Sequence, residues 1–409
     1  MREHLVIAGG GQAATQTTQS ARQAGFEGRI TLVGAETHLP YQRPPLSKGF
    51  LAGKIARDRL HLKPEQFYSA RDIDLRLDTL VASFDPSRRR ARLGSDEVLD
   101  YSHLLLATGS EPRRLGLPGA ELAGIHYLRS IDDVEAIRKE FSAGMRLLVV
   151  GAGYIGLEVA AVAVDAGLAV TVLEAQSHAM SRSVCGEVAE FFAGRHRRAG
   201  VDLRLETGLA AFFGDSRVRE AETGNGVRLA CDLVIVAIGI VPRIELAAAA
   251  GLTTDNGIAV DAHCRTSAPS VLAAGDCASY PHAWVGRRIR LESVQNAIEQ
   301  GKVAAATLCG KAQPFEEVPW FWSDQYELKL QIAGISDGYD RTVTRGSADD
   351  GSFSVFYLRD GRVIAVDSIN DPRSYIAARA RLKQKPRWPA EAIADTDRDL
   401  GELEALESL

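Results

Sequence analysis

The sequence predicts an α/β protein: two units built on parallel sheets, followed by a smaller α+β domain. Three observations carry that reading. The stretches HLVIAGGGQAATQTTQSARQAGFEGRITLVGAE (4–36) and RLLVVGAGYIGLEVAAVAVDAGLAVTVLEA (146–175) repeat one order of apolar strand, glycine turn, helix, second strand and acid. Each has the ~30-residue length of a βαβ unit, and strands that alternate with helices form parallel sheets covered on both faces. From about Pro319 the texture changes, with aromatics clustered in PWFWSDQY.

The remaining elements follow in order. LLLATGS (104–110), LVIVAIGIVPR (233–243) and NGIAVDAHCRTSAPSVLAAGDCA (256–278) are apolar strands ending in small residues. Such strand ends are where ligands dock in open α/β sheets. Leu291–Leu308 reads as a helix. SFSVFYLRDGRVIAVDSI (352–369) is a hairpin about Asp360-Gly361, a dipeptide suited to a tight turn. Arg88, Arg89, Arg90 and Arg92 read as a solvated hairpin. The tail DRDLGELEALESL is acidic with heptad-like leucines, and reads as an exposed helix or frayed end, with oligomerisation the weaker alternative.

Composition excludes several classes. The chain has 409 residues, 45% hydrophobic and 25% charged, with a net charge of −5. No global basic field draws it to nucleic acid or an anionic membrane. Its apolar runs, such as Leu233–Val241, fall short of a membrane span. The start shows no secretory pattern. The five cysteines (Cys185, Cys231, Cys264, Cys277, Cys309) are odd in number and scattered, against a disulfide framework, a zinc site or a dithiol redox centre. A reduced cytoplasmic protein without bound metal is expected, as a monomer or weak homodimer.

The two glycine turns point to dinucleotides. In the second unit Gly151 allows the tight turn, Gly153 admits a pyrophosphate to backbone N–H groups, and Gly156 lets the helix approach the sheet. Glu174 ends the second strand, where a carboxylate accepts from ribose hydroxyls and repels a 2′-phosphate, favouring NADH over NADPH. A ligand-free glycine turn is the bland alternative, disfavoured by the strand–turn–helix–strand–acid setting. The first unit reads Gly9-Gly10-Gly11-Gln12-Ala13-Ala14, with Ala14 for the third glycine and Glu36 as its acid. Its helix is polar from Thr15 to Ser20, for which the sequence offers no reason. Two such Rossmann-like units favour a hydride donor in one facing FAD in the other, since two NAD sites would leave no electron acceptor.

With ATG at 107–109 and GDC at 275–277, the chain resembles the FAD/NAD two-dinucleotide-binding-domain reductases. More narrowly, it resembles the oxygenase-coupled NADH-dependent ferredoxin reductases of the putidaredoxin reductase type. RPPLSK (43–48), YLRS (127–130), GYIGLEVAA (153–161), DNGI (255–258), RLESVQNAIEQ (290–300), PWFWSDQYE (319–327), GYDR (338–341) and FSVFYL (353–358) carry the likeness through nearly the whole chain. It implies a split FAD domain (1–109 and 241–317), an inserted NAD domain (110–240) and an interface domain (318–409). It also implies electron flow from NADH through FAD, one electron at a time, to a 2Fe–2S ferredoxin serving a monooxygenase or ring-hydroxylating dioxygenase.

Residue by residue, the likeness puts Gly9, Gly11, Ala13 and Ala14 at the FAD pyrophosphate turn and Lys48 beside the flavin. Arg43, Pro45, Val81, Ala107, Thr108, Gly109, Arg129, Gly275, Asp276 and Val294 are further cofactor contacts. Tyr154, Ile155 and Glu158 lie where nicotinamide meets flavin, with Gly239 at a neighbouring turn. Glu36 departs from the pattern, because the family acid often falls where Ala35 stands; a one-residue shift on a strand reverses the side chain. Lys48 is the cation for reduced flavin, Glu158 its partner, and Trp322, favoured over Trp320, the shielding indole. A lone lysine is ordinarily a solvated charge, and Glu158 alone reads equally as an acid in a first helical turn. Alternation in Trp320-Phe321-Trp322 would put both indoles on one face of an extended segment. Arg43 before proline and Pro44-Pro45 predict an extended approach, with Ser47 capping a helix from Lys48. Arg287, Arg288, Arg290 and Lys302 are the candidate ferredoxin surface.

Two alternatives are weaker. An NADH oxidase, peroxidase or disulfide reductase usually needs a cysteine near residues 40–50, and none is there. An apoptosis-inducing-factor-like flavoprotein is disfavoured by the lack of a transit-like N-terminus.

Overall fold

The computed structural model describes residues 3–311 and 314–403; the end of the acidic tail, 404–409, lies outside the described residues. The chain forms two compact units. One comprises Met1–Gln42, Arg57–Glu111 and Val241–Pro319, the other Arg43–Ala56, Pro112–Ile240 and Trp320–Leu409.

The first unit is built on a parallel sheet whose strands run in the order Val271–Ala273, His103–Leu106, His4–Ala8, Arg29–Val33, Ile73–Arg76. Leu5, Val6 and Ile7 are all fully buried, which is why the strand reads as an unbroken apolar run rather than an alternation. The Gln12–Gln23 helix packs on the Val294–Leu308 helix. That contact explains the polar helix. Thr17 and Thr18 are fully buried, and their hydroxyls donate to the Ala13 and Ala14 carbonyls one turn back. Thr17 also reaches the Gly301 carbonyl. A Cβ at Gly301 would lie 2.9 Å from the Ala13 oxygen, so the two helices meet backbone to backbone and leave no room for larger apolar side chains. The Val294–Leu308 helix starts three residues later than expected because Ser293 caps it, accepting from Asn296 N at 3.1 Å. The arginine-rich segment is an exposed hairpin, Val81–Asp85 with Arg90–Leu93.

The second unit repeats the topology. Its parallel sheet runs Asp202–Arg204, Ala169–Leu173, Arg146–Val150, Leu233–Val236, Ile125–Tyr127, so the strand before the glycine turn is again central. Residues 320–369 form an antiparallel five-stranded sheet, followed by the Pro372–Arg381 helix, the α+β arrangement expected. The Ser352–Arg359 and Arg362–Ile369 strands join through Asp360 (φ 52°) and Gly361 (φ 72°), the two positive φ values that a type I′ hairpin turn needs.

Segment 43–56 groups with the second unit and departs from expectation. Arg43 is in the right-handed helical region (φ −84°, ψ −31°), and Pro44–Ser47 form a 3₁₀ turn rather than an extended approach. Tertiary contact overrides the pre-proline bias: Arg43 Nη1 donates to the Arg129 carbonyl at 2.6 Å. Proline also suits the first turn of a helix, where its missing N–H costs nothing. No helix starts at Lys48, and the Ser47 hydroxyl caps nothing; it donates to Glu158.

One carboxyl is sealed inside the antiparallel sheet. Asp367 is fully buried and accepts from the Tyr357 hydroxyl, which in turn accepts from Cys185 N. Burial pushes the Asp367 carboxyl up to about 7, against the downward pull of the Tyr357 hydrogen bond. An acid raised in the folded state keeps its proton there while the unfolded chain releases it, so this group's contribution weakens folding as pH rises from about 4 to about 7. Asp367→Asn is therefore expected to gain stability relative to the parent protein as pH is raised across that range, measured by denaturant unfolding. A difference that stays constant with pH would contradict this.

Candidate functional site

Each glycine turn is forced by the strand beside it. Gly9 has φ +126°, and a Cβ there would lie 2.1 Å from the Ala107 oxygen; Gly151 has φ +102°, with its Cβ position 2.5 Å from the Ala237 oxygen. Only glycine tolerates both the dihedral and the approach. Gly11 and Gly153 stand at the N-termini of the two following helices without a side-chain cap, and nothing lies within 4 Å of where a Cβ would be. First-turn N–H groups therefore face open space, a cradle that fits a pyrophosphate. Gly156 brings its helix against the turn, since a Cβ there would sit 2.0 Å from the Gly151 oxygen. Ala14, at the matching place in the first unit, is fully buried.

In the first unit one further predicted residue, Gly275, meets the Gly9–Ala14 turn, and the others have partners of their own. A Cβ on Gly275 (φ +88°) would lie 3.2 Å from the Ala13 methyl. The Gly275 N–H donates to Gln300 Oε1 at 2.7 Å, and Gln300 is buried on the Val294–Leu308 helix. Asp276 accepts from Ser110 Oγ at 2.8 Å, and Thr108 Oγ1 donates to the Arg243 carbonyl at 2.7 Å, next to Gly109 (φ 69°). Val81 is buried and Val294 half-buried. Glu36 lies three residues past the end of its strand, half-buried, and accepts from the Tyr41 hydroxyl at 2.5 Å, whereas Ala35 is exposed. Strand alternation does not govern it there. Gln300 and Tyr41 were not singled out by the sequence; both lay inside or beside recognised motifs without a chemistry of their own.

In the second unit Glu174 sits at the lip of the Gly151 turn. Its Oε2 accepts from Ala152 N at 2.7 Å and its Oε1 from Gln176 N at 2.9 Å, which leaves one lone pair on each oxygen for a ribose hydroxyl. Ile155 is 39% exposed, an apolar surface beside the cradle. A Cβ on Gly239 (φ +102°) would meet the Arg182 guanidinium at 3.1 Å, a cation that no motif flagged. Arg129 receives Arg43 on its carbonyl and donates its N–H to Asp133. Pro45 accepts from Lys48 N and Phe50 N.

A buried polar cluster of this unit surrounds Glu158. Its carboxylate, 4% exposed, takes Lys48 Nζ at 2.8 Å and Ser47 Oγ at 2.5 Å on Oε2, and Ser323 Oγ at 2.6 Å on Oε1. Lys48, 21% exposed, also donates to the Pro44 carbonyl at 3.3 Å. The 3₁₀ turn delivers Ser47 and Lys48 to one oxygen together. Tyr154, one helical turn before Glu158, packs its ring on Phe321 with centroids 4.8 Å apart. Residues i and i+4 of the helix thus meet residues 321 and 323 of the Trp320–Gln325 strand. Burial, then the Asp367 charge, raises the Tyr154 hydroxyl above its ordinary value.

The same alternation turns Trp320 and Trp322 to the other face, with centroids 5.7 Å apart. Trp320 lies under the Arg379 guanidinium at 4.8 Å, a cation–π contact. Arg379 belongs to the Pro372–Arg381 helix, whose Arg373, Ile376, Arg379 and Arg381 are exposed, with Lys383 just beyond. Ile376 is 65% exposed. The cations expected to form a docking surface are more occupied. Arg290 is only 9% exposed and paired with Glu292, Arg288 donates to the Val260 and Ser279 carbonyls, and Lys302 pairs with Glu299. Arg287 is exposed, on a short strand.

Sulfur chemistry finds no support. All five cysteines are free thiols. Burial raises Cys264 and Cys277 and pushes Cys231 up to about 11, so these thiols stay protonated and unreactive.

Two glycine cradles, each followed by an acid past its second strand, define a two-dinucleotide oxidoreductase. The chain belongs to the pyridine nucleotide-disulphide oxidoreductase family, whose signature matches residues 3–301, and it carries the reductase C-terminal domain over 320–404. It is 44% identical over 397 residues to rhodocoxin reductase of Rhodococcus erythropolis, covering 97% of this chain and 93% of that protein. It is 43% identical to putidaredoxin reductase of Pseudomonas putida, covering 90% and 89%. Among solved structures it superposes on the covalent putidaredoxin reductase–putidaredoxin complex with a TM-score of 0.95 at 41% identity, covering 98% of this chain and 97% of that one.

The Glu158 cluster makes an asymmetric prediction. Removing Lys48 strands a buried anion, whereas removing the Glu158 charge leaves a cation already 21% exposed to water. Lys48→Met is expected to cost more than Glu158→Gln, toward but below the 3–5 kcal/mol of a fully buried pair. The double variant should recover part of the loss in thermal unfolding. Equal costs that simply add would refute the coupling.

Proposed function

We propose that the chain is an FAD-dependent NADH:ferredoxin oxidoreductase that passes electrons from NADH through FAD to a 2Fe–2S ferredoxin serving a monooxygenase or ring-hydroxylating dioxygenase. The observation that carries this is the pair of glycine cradles, in a chain matched over nearly its whole length by ferredoxin reductases and whose Cys231, Cys264 and Cys277 thiols burial keeps protonated. FAD is the group that exchanges a hydride for single electrons. The chain's own residues bind and orient.

In this reading the FAD domain is 1–109 with 241–317, and the Gly9–Ala14 turn takes the FAD pyrophosphate. Glu36, Thr108, Asp276 and Gln300 line or brace that side. The NAD domain is 110–240: the Gly151–Gly156 turn takes the NADH pyrophosphate, Glu174 the adenosine ribose, and Tyr154 and Ile155 flank the nicotinamide. Lys48, held by Glu158, offsets the negative charge that arises on reduction. Trp322 shields the cofactor. We place the reaction in the cytoplasm, where NADH is supplied.

The ferredoxin meets the 318–409 domain. Arg373 and Arg379 flank the exposed Ile376 three residues to either side, with the exposed Lys383 just past the helix, and none of the three is ion-paired among the described residues; Arg381 donates to the Gly401 carbonyl. An apolar centre rimmed by cations suits a small acidic protein, with attraction that fades as salt rises. Reversing Arg373 and Lys383 to Glu is expected to raise the KM for ferredoxin about ten-fold at low salt, while NADH-dependent dye reduction stays unchanged. An unchanged KM would move the docking site elsewhere.

The test of the function is cytochrome c reduction by the purified flavoprotein with NADH or NADPH, with and without 2Fe–2S ferredoxins. Turnover should require both NADH and a ferredoxin; full activity without ferredoxin would sink the reading. Glu174→Ala should narrow the preference for NADH over NADPH by about ten-fold or more, and equal efficiency with NADPH in the parent protein would remove the role given to Glu174.

A further inference from the structure

We infer that Ser323 is a positioning residue for hydride transfer, acting through Glu158 on Lys48; this rests on the function proposed above. The argument begins with the carboxylate. The terminal torsion of a glutamate is broad and roughly two-fold, so donors set the plane of its oxygens. Ser47 and Lys48 both bind Oε2 and come from adjacent residues, so together they fix one oxygen and leave the carboxylate free to turn about it. Ser323 is the donor on Oε1, at 2.6 Å and from a different element. It removes that remaining freedom.

Ser323 is itself held. It is fully buried, and its oxygen accepts from Gln325 Nε2 at 3.3 Å. Gln325 is buried, with Oε1 2.9 Å from His196 Nε2, and the Tyr326 hydroxyl lies 3.1 Å from His196 Nδ1. Directions follow from the acceptor-only end of the chain. Glu158 accepts, so Ser323 donates to it and must accept from the Gln325 amide. The Gln325 carbonyl then faces His196, so Nε2 carries the proton and Nδ1 accepts from Tyr326. Burial keeps this imidazole neutral, with its pKa lowered to about 4, which leaves Nδ1 open to accept. Tyr326, His196, Gln325 and Ser323 thus form one polarised chain of hydrogen bonds ending on Glu158, all its donors pointing the same way. Such chains strengthen their terminal bond and resist rotation of any single member. A Lys48 ammonium fixed by this chain keeps its position through successive turnovers.

The test uses the intact holoenzyme. Ser323→Ala is compared with Ser323→Thr, which restores the hydroxyl, in anaerobic stopped-flow reduction by NADH and in equilibrium measurement of the flavin midpoint potential. The limiting rate of flavin reduction should fall about ten-fold in the alanine protein with the Kd for NADH within about two-fold of the parent. The potential should shift to a more negative value, and the threonine protein should recover both readouts. Ser323→Cys, which keeps the volume and weakens the donor, carries the same comparison if the alanine protein does not accumulate. Unchanged rate and potential, with only a lowered Tm, would overturn the inference and leave Ser323 a packing residue. Failure of the parent flavoprotein to be reduced by NADH would overturn the proposed function, and this inference with it; normal reduction of both parent and variant would remove this inference alone.

Discussion

The constraint on which the structure depends is the close approach of backbone to backbone at the ends of two central strands. At Gly9 and Gly151 a neighbouring carbonyl occupies the space of a side chain. The strand therefore has to turn at once and present the uncapped start of a helix. That geometry exposes N–H groups without burying them, and it needs a parallel sheet sealed on both faces to hold it in place. Fully apolar strands supply the seal. The same rule reappears where the Gln12–Gln23 helix crosses Gly301, and it accounts for a helix interface made of hydroxyls that bond their own backbone.

Much of this was legible in the sequence. Two βαβ repeats with glycine turns and terminal acids are periodic, local features, and the parallel sheets follow from them. The Asp360-Gly361 hairpin is equally local, since its two positive φ values are a property of the dipeptide. What could not be read was decided by contacts distant in sequence. Arg43 adopts a helical conformation that a following proline disfavours, because its guanidinium finds the Arg129 carbonyl. Ser47 has the chemistry of a cap but finds a buried carboxylate instead. Gln300 is one more polar residue in a helix until its amide is seen to hold the Gly275 turn.

The cluster on Glu158 shows how charge is kept in a nearly dry place. A buried carboxylate is tolerable only when its lone pairs are answered, and here a cation and two hydroxyls answer them. The lysine is the one member with access to solvent. The lysine and one of the serines come from a turn stiffened by two prolines, so little conformational freedom is lost when they converge. The proline pair that looked like an extended lead-in is better understood as a pre-set bracket for two adjacent donors.

The Trp320–Gln325 strand has work on both faces, with Phe321 and Ser323 against the Tyr154 helix and the two indoles turned away, Trp320 beneath Arg379. A strand committed on both sides has no neutral register, because a slip by one residue would exchange indoles for a hydroxyl and a phenyl ring at once. Single-residue insertions or deletions within it are therefore closed to evolutionary drift. Length change costs less in exposed turns that carry none of these contacts.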